Sequence, residues 1–447
     1  MVMGIGLLHR GYRTLFRAGR FLRHRVTPAG GFVIAGWVLA AGAANPEQTL
    51  GTQAFLLLSA LLLLSLVTAP WFRARFAVSR RVPRFGTVGD PIPLRVEVRN
   101  RGRRALRGFE YFEELQDRPL TPYEFQARTV PGRGNRSFRL GRPLPPIRPP
   151  RTDPVPVPDI PAGGSVELQV TVTAWRRGPL VLAGGVLARR DPFGLFRGFR
   201  RSPAPQTLLV LPQRHPVPLL TLPGQSHYQR GGVAMAAGVG ETEEFVALRE
   251  YRRGDSLRRV HWRSSARLGE LVVKEFQDEY LVRHALVLDT FCEASRDGLF
   301  EEAVSVAASF ACTVPDQESL LDLLFVGPGT VCVTRGRGVG HVEQMLEVLA
   351  AVTPTREPRF GDLEALLLRH REVLSGCLLV LLDWDAPRRA LVRRLRALRL
   401  PCWVLLIVED ASATLDPGLP EERPDRLIRL EAGRIREGLM RLGEEVA

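Results

Sequence analysis

The segment EFVALREYRRGDSLRRVHWRSSARLGELVVKEFQDE, residues 244–279, carries the most information about the organisation of this chain. It combines many charged side chains with Tyr251, His261 and Trp262 and with an apolar Leu-Val-Val run. A solvated linker would not carry the tryptophan and the apolar run, and a protein core would not carry so many charges. We therefore expect this signature segment, as we call it, to lie where two folded units meet, with its charges paired.

A turn, a helix and a strand are predicted within the signature segment. Asp255 or Ser256 is expected to cap a helix over residues 257–268, because these side chains accept hydrogen bonds from the first free N–H groups. Gly269 follows where a left-handed C-terminal cap belongs. Residues 271–276 alternate like a strand. One helix face would carry side chains at three- and four-residue spacing: Leu257, Val260, His261, Ser264 and Leu268.

Two interpretations of these residues remain open. A catalytic or phosphate-binding group would use Asp255, His261, Ser265 and Lys274, the single lysine of the chain. Ser265 follows His261 by four residues and would share its helix face. Nucleophiles usually sit at a sharp turn beside an oxyanion loop, and no such loop is evident. We therefore favour a structural or protein-docking role, in which arginines form bidentate pairs with carboxylates: Arg249, Arg258, Arg263 and Arg267.

The pattern from Arg249 to Phe276, R-E-Y-x-x-G-D-x-x-R-x-x-H-W-x-x-S-A-R-x-G-x-L-x-V-K-x-F, resembles the signature of the bacterial domain of unknown function 58 family. Residues 175–180 (WRRGPL) and 191–196 (DPFGLF) resemble the stretch that precedes this signature in the family. The resemblance implies an architecture more than an activity. It marks as signature positions Arg249, Glu250, Tyr251, Gly254, Asp255, Arg258, His261, Trp262, Ser265, Arg267 and Lys274.

Composition limits the partners. The net charge of +15 favours an anionic partner. We expect an anionic lipid surface rather than nucleic acid, because no basic-aromatic motif, zinc finger or recognition helix is present. The cysteines are Cys292, Cys312, Cys332, Cys377 and Cys402. Their odd number and scattered spacing argue against a disulfide framework or a zinc site, so we expect buried thiols in a reducing compartment.

Two uncharged runs, residues 26–46 and 48–72, predict a membrane hairpin with helices at about residues 30–45 and 50–70. Arginines precede the first run and follow the second, and basic flanks stay in the cytoplasm. We therefore expect a two-helix protein of the bacterial plasma membrane with its soluble domains in the cytoplasm. Residues 10–25 have the pattern of an interfacial helix. A cleaved signal peptide and a buried soluble hairpin are the alternatives.

Short β-prone runs separated by turn residues predict an all-β sandwich over residues 73–215. The proline-rich stretch 143–161 is predicted to be an extended loop. Residues 191–194 (DPFG) are predicted to form a tight turn that fixes a corner of the sandwich.

Near-continuous apolar runs that alternate with amphipathic stretches predict an α/β domain with a mainly parallel sheet over residues 281–447. Its order and length resemble a von Willebrand factor A-like (Rossmann-type) domain, which binds a divalent cation through D-x-S-x-S. The matching positions are Asp289, Phe291 and Glu293, so both serines are absent. Asp289 and Asp383 remain weak candidate ligands for Mg²⁺, and no cofactor is predicted.

The sequence therefore predicts a multidomain protein with a basic lead (1–25), a membrane hairpin (26–72), a β-sandwich (73–215), the signature segment with its linker (216–280) and an α/β domain (281–447). We expect a non-enzymatic scaffold or adaptor. The family resemblance implies a MoxR-type AAA ATPase as partner, in some cases also a transglutaminase-like membrane protein, in the assembly or maturation of envelope complexes. An enzyme and a cation-dependent protein-binding module are the alternative functions.

Overall fold

The computed structural model describes residues 10–12, 14, 25–43, 49–69, 72, 74–116, 129–131, 138–140, 150–218, 244–257, 260–277, 282–293, 296–313, 319–327, 329–335, 339–357, 359–410 and 419–444. The chain divides into two compact units, Met1–Leu211 and Pro212–Ala447. Each unit contains strands, so the predicted multidomain architecture with mixed helices and sheets is confirmed.

Two apolar helices begin the first unit. Helix α1 spans Pro28–Gly42 and α2 spans Thr49–Thr68. Residues Leu50–Thr68 are long and apolar enough to cross a bilayer by length and composition. Helix α1 has 15 residues, begins and ends two to three residues earlier than predicted, and would span about 22 Å at 1.5 Å per residue. The predicted interfacial helix at residues 10–25 falls mostly outside the described residues.

The first unit has eleven strands among its described residues, and six of them overlap runs that the sequence indicates. They are β1 (Phe76–Arg81), β2 (Phe85–Thr87), β3 (Pro91–Asn100), β4 (Phe109–Leu115), β5 (Thr129–Pro131), β6 (Phe138–Leu140), β7 (Arg151–Thr152), β8 (Val155–Val157), β9 (Ser165–Thr173), β10 (Gly178–Arg190) and β11 (Arg197–Leu211). One sheet has the order β1-β3-β9-β7 and a second has the order β2-β11-β10-β4-β8. Strands β5 and β6 form a separate pair.

One hydrophobic core takes side chains from both larger sheets. Strand β3 alternates strictly, so that Leu94 and Val96 are buried while the residues between them face solvent. Leu182 of β10 and Leu208 of β11 reach the same core from the other sheet. Side chains of a β-strand alternate between its two faces, so every second residue of β3 lies on the same face. The apolar pattern of β3 could therefore be recognised in the sequence.

The predicted proline-rich loop at 143–161 is partly wrong. Residues 151–152 and 155–157 form β7 and β8, and β8 pairs with β4 at the edge of its sheet. An edge strand needs hydrogen bonds on one side only, so Pro156 is tolerated there.

The second unit contains the signature segment and a six-stranded sheet. Strands β12 (Glu244–Glu250) and β13 (Val272–Gln277) are antiparallel, and helix α3 (Trp262–Leu268) lies between them in the chain. The other strands are β14 (Val282–Leu288), β15 (Ser319–Val326), β16 (Thr330–Arg335), β17 (Gly376–Leu381), β18 (Cys402–Val408) and β19 (Arg426–Glu431). The other α-helices are α4 (Asp297–Thr313), α5 (Val339–Ala351), α6 (Phe360–Arg369), α7 (Ala386–Ala397) and α8 (Ile435–Glu444).

The six-stranded sheet has the order β16-β15-β14-β17-β18-β19 and is parallel except for the β15–β16 pair. This matches the predicted mainly parallel sheet. From β14 the chain passes to β15 on one side, and from β17 it continues to β18 on the other. The crevice at the carboxyl ends of β14 and β17 is therefore the topological switch point, where ligands bind in open α/β sheets. Strand β19 and helix α8 were not predicted.

Candidate functional site

An ion pair closes the turn that follows β12. The guanidinium of Arg249 donates to both carboxylate oxygens of Asp255, at 2.7 and 2.8 Å, and the backbone N–H of Arg252 donates to Asp255 at 2.8 Å. The hydrogen bonds from Arg249, followed by the one from Arg252, lower the pKa of Asp255 to about 2. Asp255 therefore fixes a turn and does not cap a helix.

Helix α3 begins at Trp262, five residues later than predicted, and its N-cap is His261. Val260 forms a β-bridge with Val273, and the backbone N–H of His261 donates to the Val272 carbonyl. Val260 and His261 are therefore paired with β13 and do not belong to the helix. Gly269 ends α3 in a left-handed conformation with φ 75°, as predicted.

Ser265 is buried and fully engaged with backbone groups. Its Oγ donates to the His261 carbonyl at 3.1 Å and accepts the N–H of Val272 at 2.9 Å. His261 Nδ1 lies 2.7 Å from Ser264 Oγ, not from Ser265. These contacts fasten α3 to β13, and they give Asp255, His261 and Ser265 different partners. The geometry therefore disfavours the alternative of a catalytic group.

The remaining signature residues lie on the surface or at its edge. Glu250, Trp262 and Arg267 are exposed, whereas Tyr251 and Lys274 are half-buried. The expected common helix face is wrong, because α3 begins at Trp262 and leaves Leu257, Val260 and His261 outside the helix. Gly254 adopts a positive φ in the turn. Arg258 lies outside the described residues. Whether these positions form the interaction site remains a prediction.

A buried ion pair occupies the switch point of the six-stranded sheet. Asp289, directly after β14, is fully buried, and Arg388 Nε donates to its Oδ2 at 2.7 Å. The backbone N–H groups of Phe291 and Leu382 donate to the same carboxylate, at 3.0 and 3.1 Å. Burial raises the pKa of Asp289, and the charge and hydrogen bond of Arg388 oppose this shift.

Arg388 is held by further groups in this crevice. Its Nη1 donates to Asp385 at 2.6 Å and its Nη2 to the Phe291 carbonyl at 3.1 Å. The second weak metal candidate, Asp383, pairs with Arg296 at 2.7 Å. A guanidinium thus takes the place beside Asp289 that a divalent cation would need. The residues present do not fit a Mg²⁺ site there, since both candidate carboxylates are bound by arginine.

Comparison with known proteins places this region in a family. Residues 247–417 match the family described as "Protein of unknown function DUF58". Residues 247–417 are a DUF58 region. The resemblance drawn from the signature segment is thereby confirmed, and the DUF58 region includes residues 247–279 of that segment and the Asp289–Arg388 pair.

The chain is similar to the uncharacterized protein YeaD of Bacillus subtilis (strain 168), with 31% identity over 125 residues. The match spans 28% of this chain and 30% of YeaD, so less than a third of that relative is covered. Among solved structures, a GH20 exo-β-N-acetylglucosaminidase from Vibrio harveyi, in complex with N-acetylglucosamine, has 10% identity and a TM-score of 0.14. That alignment covers 83% of this chain and 65% of the enzyme. The TM-score is too low to carry any argument about the DUF58 region.

Outside the DUF58 region, the turn Asp191–Phe196 holds both apolar helices; we call it the docking turn. Thr27, the N-cap of α1, donates its hydroxyl to the Gly194 carbonyl at 2.6 Å and its N–H to the Leu195 carbonyl. Near the end of α2, Ser65 donates to Asp191 at 2.5 Å in a buried hydrogen bond. Asp191 also accepts the N–H groups of Phe193 and Phe196. The turn therefore fastens helices to the sheet, a role that the sequence had not indicated.

Two glycines permit this close contact. A Cβ atom at Gly30 of α1 would overlap the Leu195 carbonyl oxygen, and a Cβ at Gly198 would overlap the Ala69 carbonyl oxygen after α2. Each glycine lets one helix end approach the β unit at backbone distance. Arg200 adds hydrogen bonds to the Phe72 carbonyl. Side-chain hydrogen bonds and close backbone contacts therefore both attach the helix pair to the β strands.

One signal could have revealed Arg388. It sits in the first turn of α7, where the helix dipole disfavours a cation. An arginine at such a position indicates nearby carboxylates, which here are Asp289 and Asp385. Thr27 and Ser65 carry no comparable signal, because a threonine at an N-cap and a serine inside an apolar helix usually bond to the backbone of their own helix.

Proposed function

We propose that this chain is a non-catalytic adaptor anchored in the bacterial plasma membrane by the pair α1 and α2. In this proposal a β-sandwich and a von Willebrand factor A-like domain are held in the cytoplasm next to the bilayer. A MoxR-type AAA ATPase is the partner, and in some cases a transglutaminase-like membrane protein joins it. The role is the assembly or maturation of envelope complexes.

The anchoring proposal rests on a contrast between the ends and the sides of the helix pair. The start of α1 and the end of α2 are bound to the docking turn. The sides of both helices expose large apolar residues, including Phe32 at 81% and Leu50 at 82%. Other exposed residues of the two helices are Val38, Leu39, Leu56, Leu57, Leu63, Leu64, Leu66 and Val67. Water would make this surface very unfavourable, at about 25 cal/mol per Å². A hydrocarbon environment accommodates it, although α1 would need local thinning of the bilayer.

The contacts within the DUF58 region support the adaptor over both alternative functions. Asp255, His261 and Ser265 are committed to Arg249, Ser264 and backbone groups respectively. Such contacts stabilise a surface and do not present a nucleophile. At the sheet crevice, Arg388 neutralises Asp289 without an exchangeable ion. The domain should therefore bind its partners independently of divalent cations.

Full-length protein in nanodiscs, incubated with the purified MoxR-type ATPase of the same organism, tests the adaptor proposal. We expect a complex by size-exclusion chromatography in at least one state among ADP, a non-hydrolysable ATP analogue and no nucleotide. Where the complex forms without nucleotide, EDTA should not disrupt it. If no complex forms in any state, the partner proposal is wrong.

Anchoring has its own test. In alkaline carbonate the protein should remain with the lipid and float with it in a density gradient. Recovery of the intact chain in the soluble fraction would contradict the proposal.

A further inference from the structure

The docking turn lies beside the ends of the two apolar helices and not beyond them. The Leu195 carbonyl accepts the N–H of Thr27, and a Cβ atom at Gly30, one turn into α1, would overlap the same carbonyl. The Asp191 carboxylate accepts the hydroxyl of Ser65, about one turn before the end of α2. One helical turn advances about 5.4 Å along the axis. The docking turn therefore extends along both helices by about this distance from their ends.

The tip of the docking turn is apolar and exposed. The N–H of Gly194 donates to the Asp191 carbonyl at 3.0 Å, so Pro192 and Phe193 are the central residues of a four-residue turn. Both are exposed, and the exposed fraction of Phe193 is 43%. The N–H of Phe193 donates to the buried Asp191 carboxylate, which also binds Ser65, so the tip is fixed relative to α2. An aromatic ring at this level of a membrane helix pair lies at the boundary between lipid headgroups and acyl chains, where phenylalanines of interfacial segments are buried.

Three arginines lie directly behind the docking turn. Arg190 and Arg197 are opposite each other in the last residue pair of β10 and β11 before the turn. Val26, which leads into α1, forms an antiparallel bridge with Phe196, and this bridge places Arg25 beside Arg197. Successive residues of a strand are about 3.3 Å apart, so the backbones of these arginines lie within a few ångströms of the turn.

Contacts place the three arginines on one face of the sheet. Glu110 accepts a hydrogen bond from Arg190 at 2.8 Å and forms an ion pair with Arg197 at 3.5 Å. The guanidinium of Arg25 lies 5.7 Å from the centre of the Phe199 ring. Phe199 follows Arg197 by two residues in β11 and therefore points to the same face. One glutamate among three arginines leaves an excess of positive charge on this face.

The order of these groups along the helices fits a lipid surface. Asp191 contacts Ser65 inside α2, whereas Gly198 lies against the carbonyl of Ala69, after α2 has ended. The strands therefore leave the turn in the direction of the helix ends, and the arginines lie nearer to water than the apolar tip does. A bilayer presents its acyl chains and its phosphate groups in the same order, and anionic lipids attract basic side chains at this level. The tip is also continuous with the exposed apolar sides of the helix pair.

We propose that the docking turn enters the bilayer interface and forms a binding site for anionic phospholipids. The Phe193 ring is buried between headgroups and acyl chains, and Arg25, Arg190 and Arg197 bind the phosphate groups. The site rests on the anchoring part of the proposed function and adds to it a direct lipid contact of the β unit. It would hold the sheets at a fixed height above the membrane.

The depth of the tip is measured with a nitroxide label on the full-length chain in nanodiscs that contain phosphatidylglycerol and phosphatidylcholine. The labelled variants are Phe193→Cys at the tip, Leu57→Cys on the exposed side of α2, and Asp90→Cys as the control. Asp90 is exposed in the turn after β2, which pairs with the far end of β11, roughly 40 Å from the docking turn. The native cysteines that are not buried are first replaced by serine: Cys292, Cys312 and Cys332.

Power saturation of the EPR signal reports collisions with oxygen, which concentrates in lipid, and with a nickel chelate, which stays in water. We expect the labels at positions 57 and 193 to collide with oxygen and to be protected several-fold from nickel, relative to the label at position 90. If position 193 is as open to nickel as position 90 while position 57 stays in lipid, the lipid site is wrong and the anchoring stands. Protection of position 193 from both reagents would make the tip a protein contact. Free access of nickel to position 57 would contradict the anchoring itself.

Spin-labelled lipids test the arginines separately. The association constant of phosphatidylglycerol relative to phosphatidylcholine at the protein boundary should fall at least about twofold in Arg25→Gln/Arg190→Gln. The matched control Arg84→Gln/Arg176→Gln removes the same charge from exposed side chains at the opposite end of the β unit and should leave this ratio unchanged. An equal fall in both double variants would reduce the selectivity to a net-charge effect. No fall in either would exclude these arginines from lipid binding.

Discussion

Replacing Arg388 by methionine should destabilise the six-stranded sheet severely, because it leaves the Asp289 carboxylate buried without its cation. Asp289 is fully buried, and only the two backbone N–H groups of Phe291 and Leu382 would remain as partners. An effective dielectric constant of about 20 and a charge separation of about 4 Å give roughly 4 kcal/mol for the lost attraction. Loss of one partner of a buried ion pair typically costs about 3–5 kcal/mol. We expect Arg388→Met to lower the local unfolding free energy by about that amount.

Hydrogen exchange followed by mass spectrometry suits this measurement, since it resolves one sheet in a chain with several cooperative units. Peptides that cover β14 and β17 should exchange about two to four orders of magnitude faster in Arg388→Met, because each 1.4 kcal/mol corresponds to about a factor of ten. The matched control is Arg393→Met in the same helix, whose pair with Glu422 lies at the surface. That change should cost under about 1 kcal/mol.

A second variant separates the buried charge from packing. Asp289→Asn combined with Arg388→Met removes both charges and should exchange more slowly than Arg388→Met alone. The reasoning would be refuted if Arg388→Met exchanged like wild type, or if Arg393→Met had an effect of the same size.

The other predictions concern metal, the signature segment, the docking turn and the thiols. Millimolar Mg²⁺ or EDTA should leave the exchange of β14 and β17 in wild-type protein unchanged, whereas protection by Mg²⁺ would show a cation site after all. Ser265→Ala should cost about 1–3 kcal/mol by orphaning the buried Val272 N–H, measured as faster exchange of β13, while exchange at the wild-type rate would contradict the fastening role. The pKa of Asp255, lowered to about 2 by Arg249, should be measurable by carboxyl ¹³C NMR and should rise in Arg249→Met. The pKa of Asp255 is lower in the folded protein than in the unfolded chain. The stabilisation that the ionised Asp255 contributes is therefore present above about pH 4 and is lost as the pH falls to about 2. Asp191→Ala should speed exchange in the docking turn and in residues 65–69, with Asp153→Ala as the exposed control. Cys377 and Cys402 are buried, and burial raises the pKa of Cys402 to about 12, so native protein should not react with iodoacetamide at these thiols at pH 8.

Periodic patterns in the sequence located most of the elements. The strict alternation of β3 fixes which of its faces is buried, since a shift by one residue would expose that face. The apolar runs of β17 and β18 located strands that are buried on both faces. Gly269 was predictable for a similar reason, because a left-handed helix end favours glycine.

Contacts between distant residues were not predictable in this way. Asp255 has the ideal chemistry of an N-cap, yet Arg249 binds it, and the pairing of Val260 with Val273 delays the helix. Leu257 consequently lies outside α3. The hydrogen bonds of Thr27 and Ser65 to the docking turn join residues more than a hundred positions apart, so no local sequence pattern predicts them.

The burial of the cysteines could also be predicted only in part from the sequence. Cys377 and Cys402 lie in unbroken apolar runs and are buried, as expected, but Cys332 lies in a similar short run and is exposed. Its strand, β16, is at the edge of the sheet. Edge position depends on the order of strands and is invisible in the apolar run itself.

The most direct test of the central claim is protease digestion of membrane vesicles that carry the full-length chain with a C-terminal epitope. In right-side-out vesicles the epitope should remain attached to a full-length product, and in inside-out vesicles it should be removed. Digestion of the epitope in sealed right-side-out vesicles would contradict a cytoplasmic adaptor held by a helix pair.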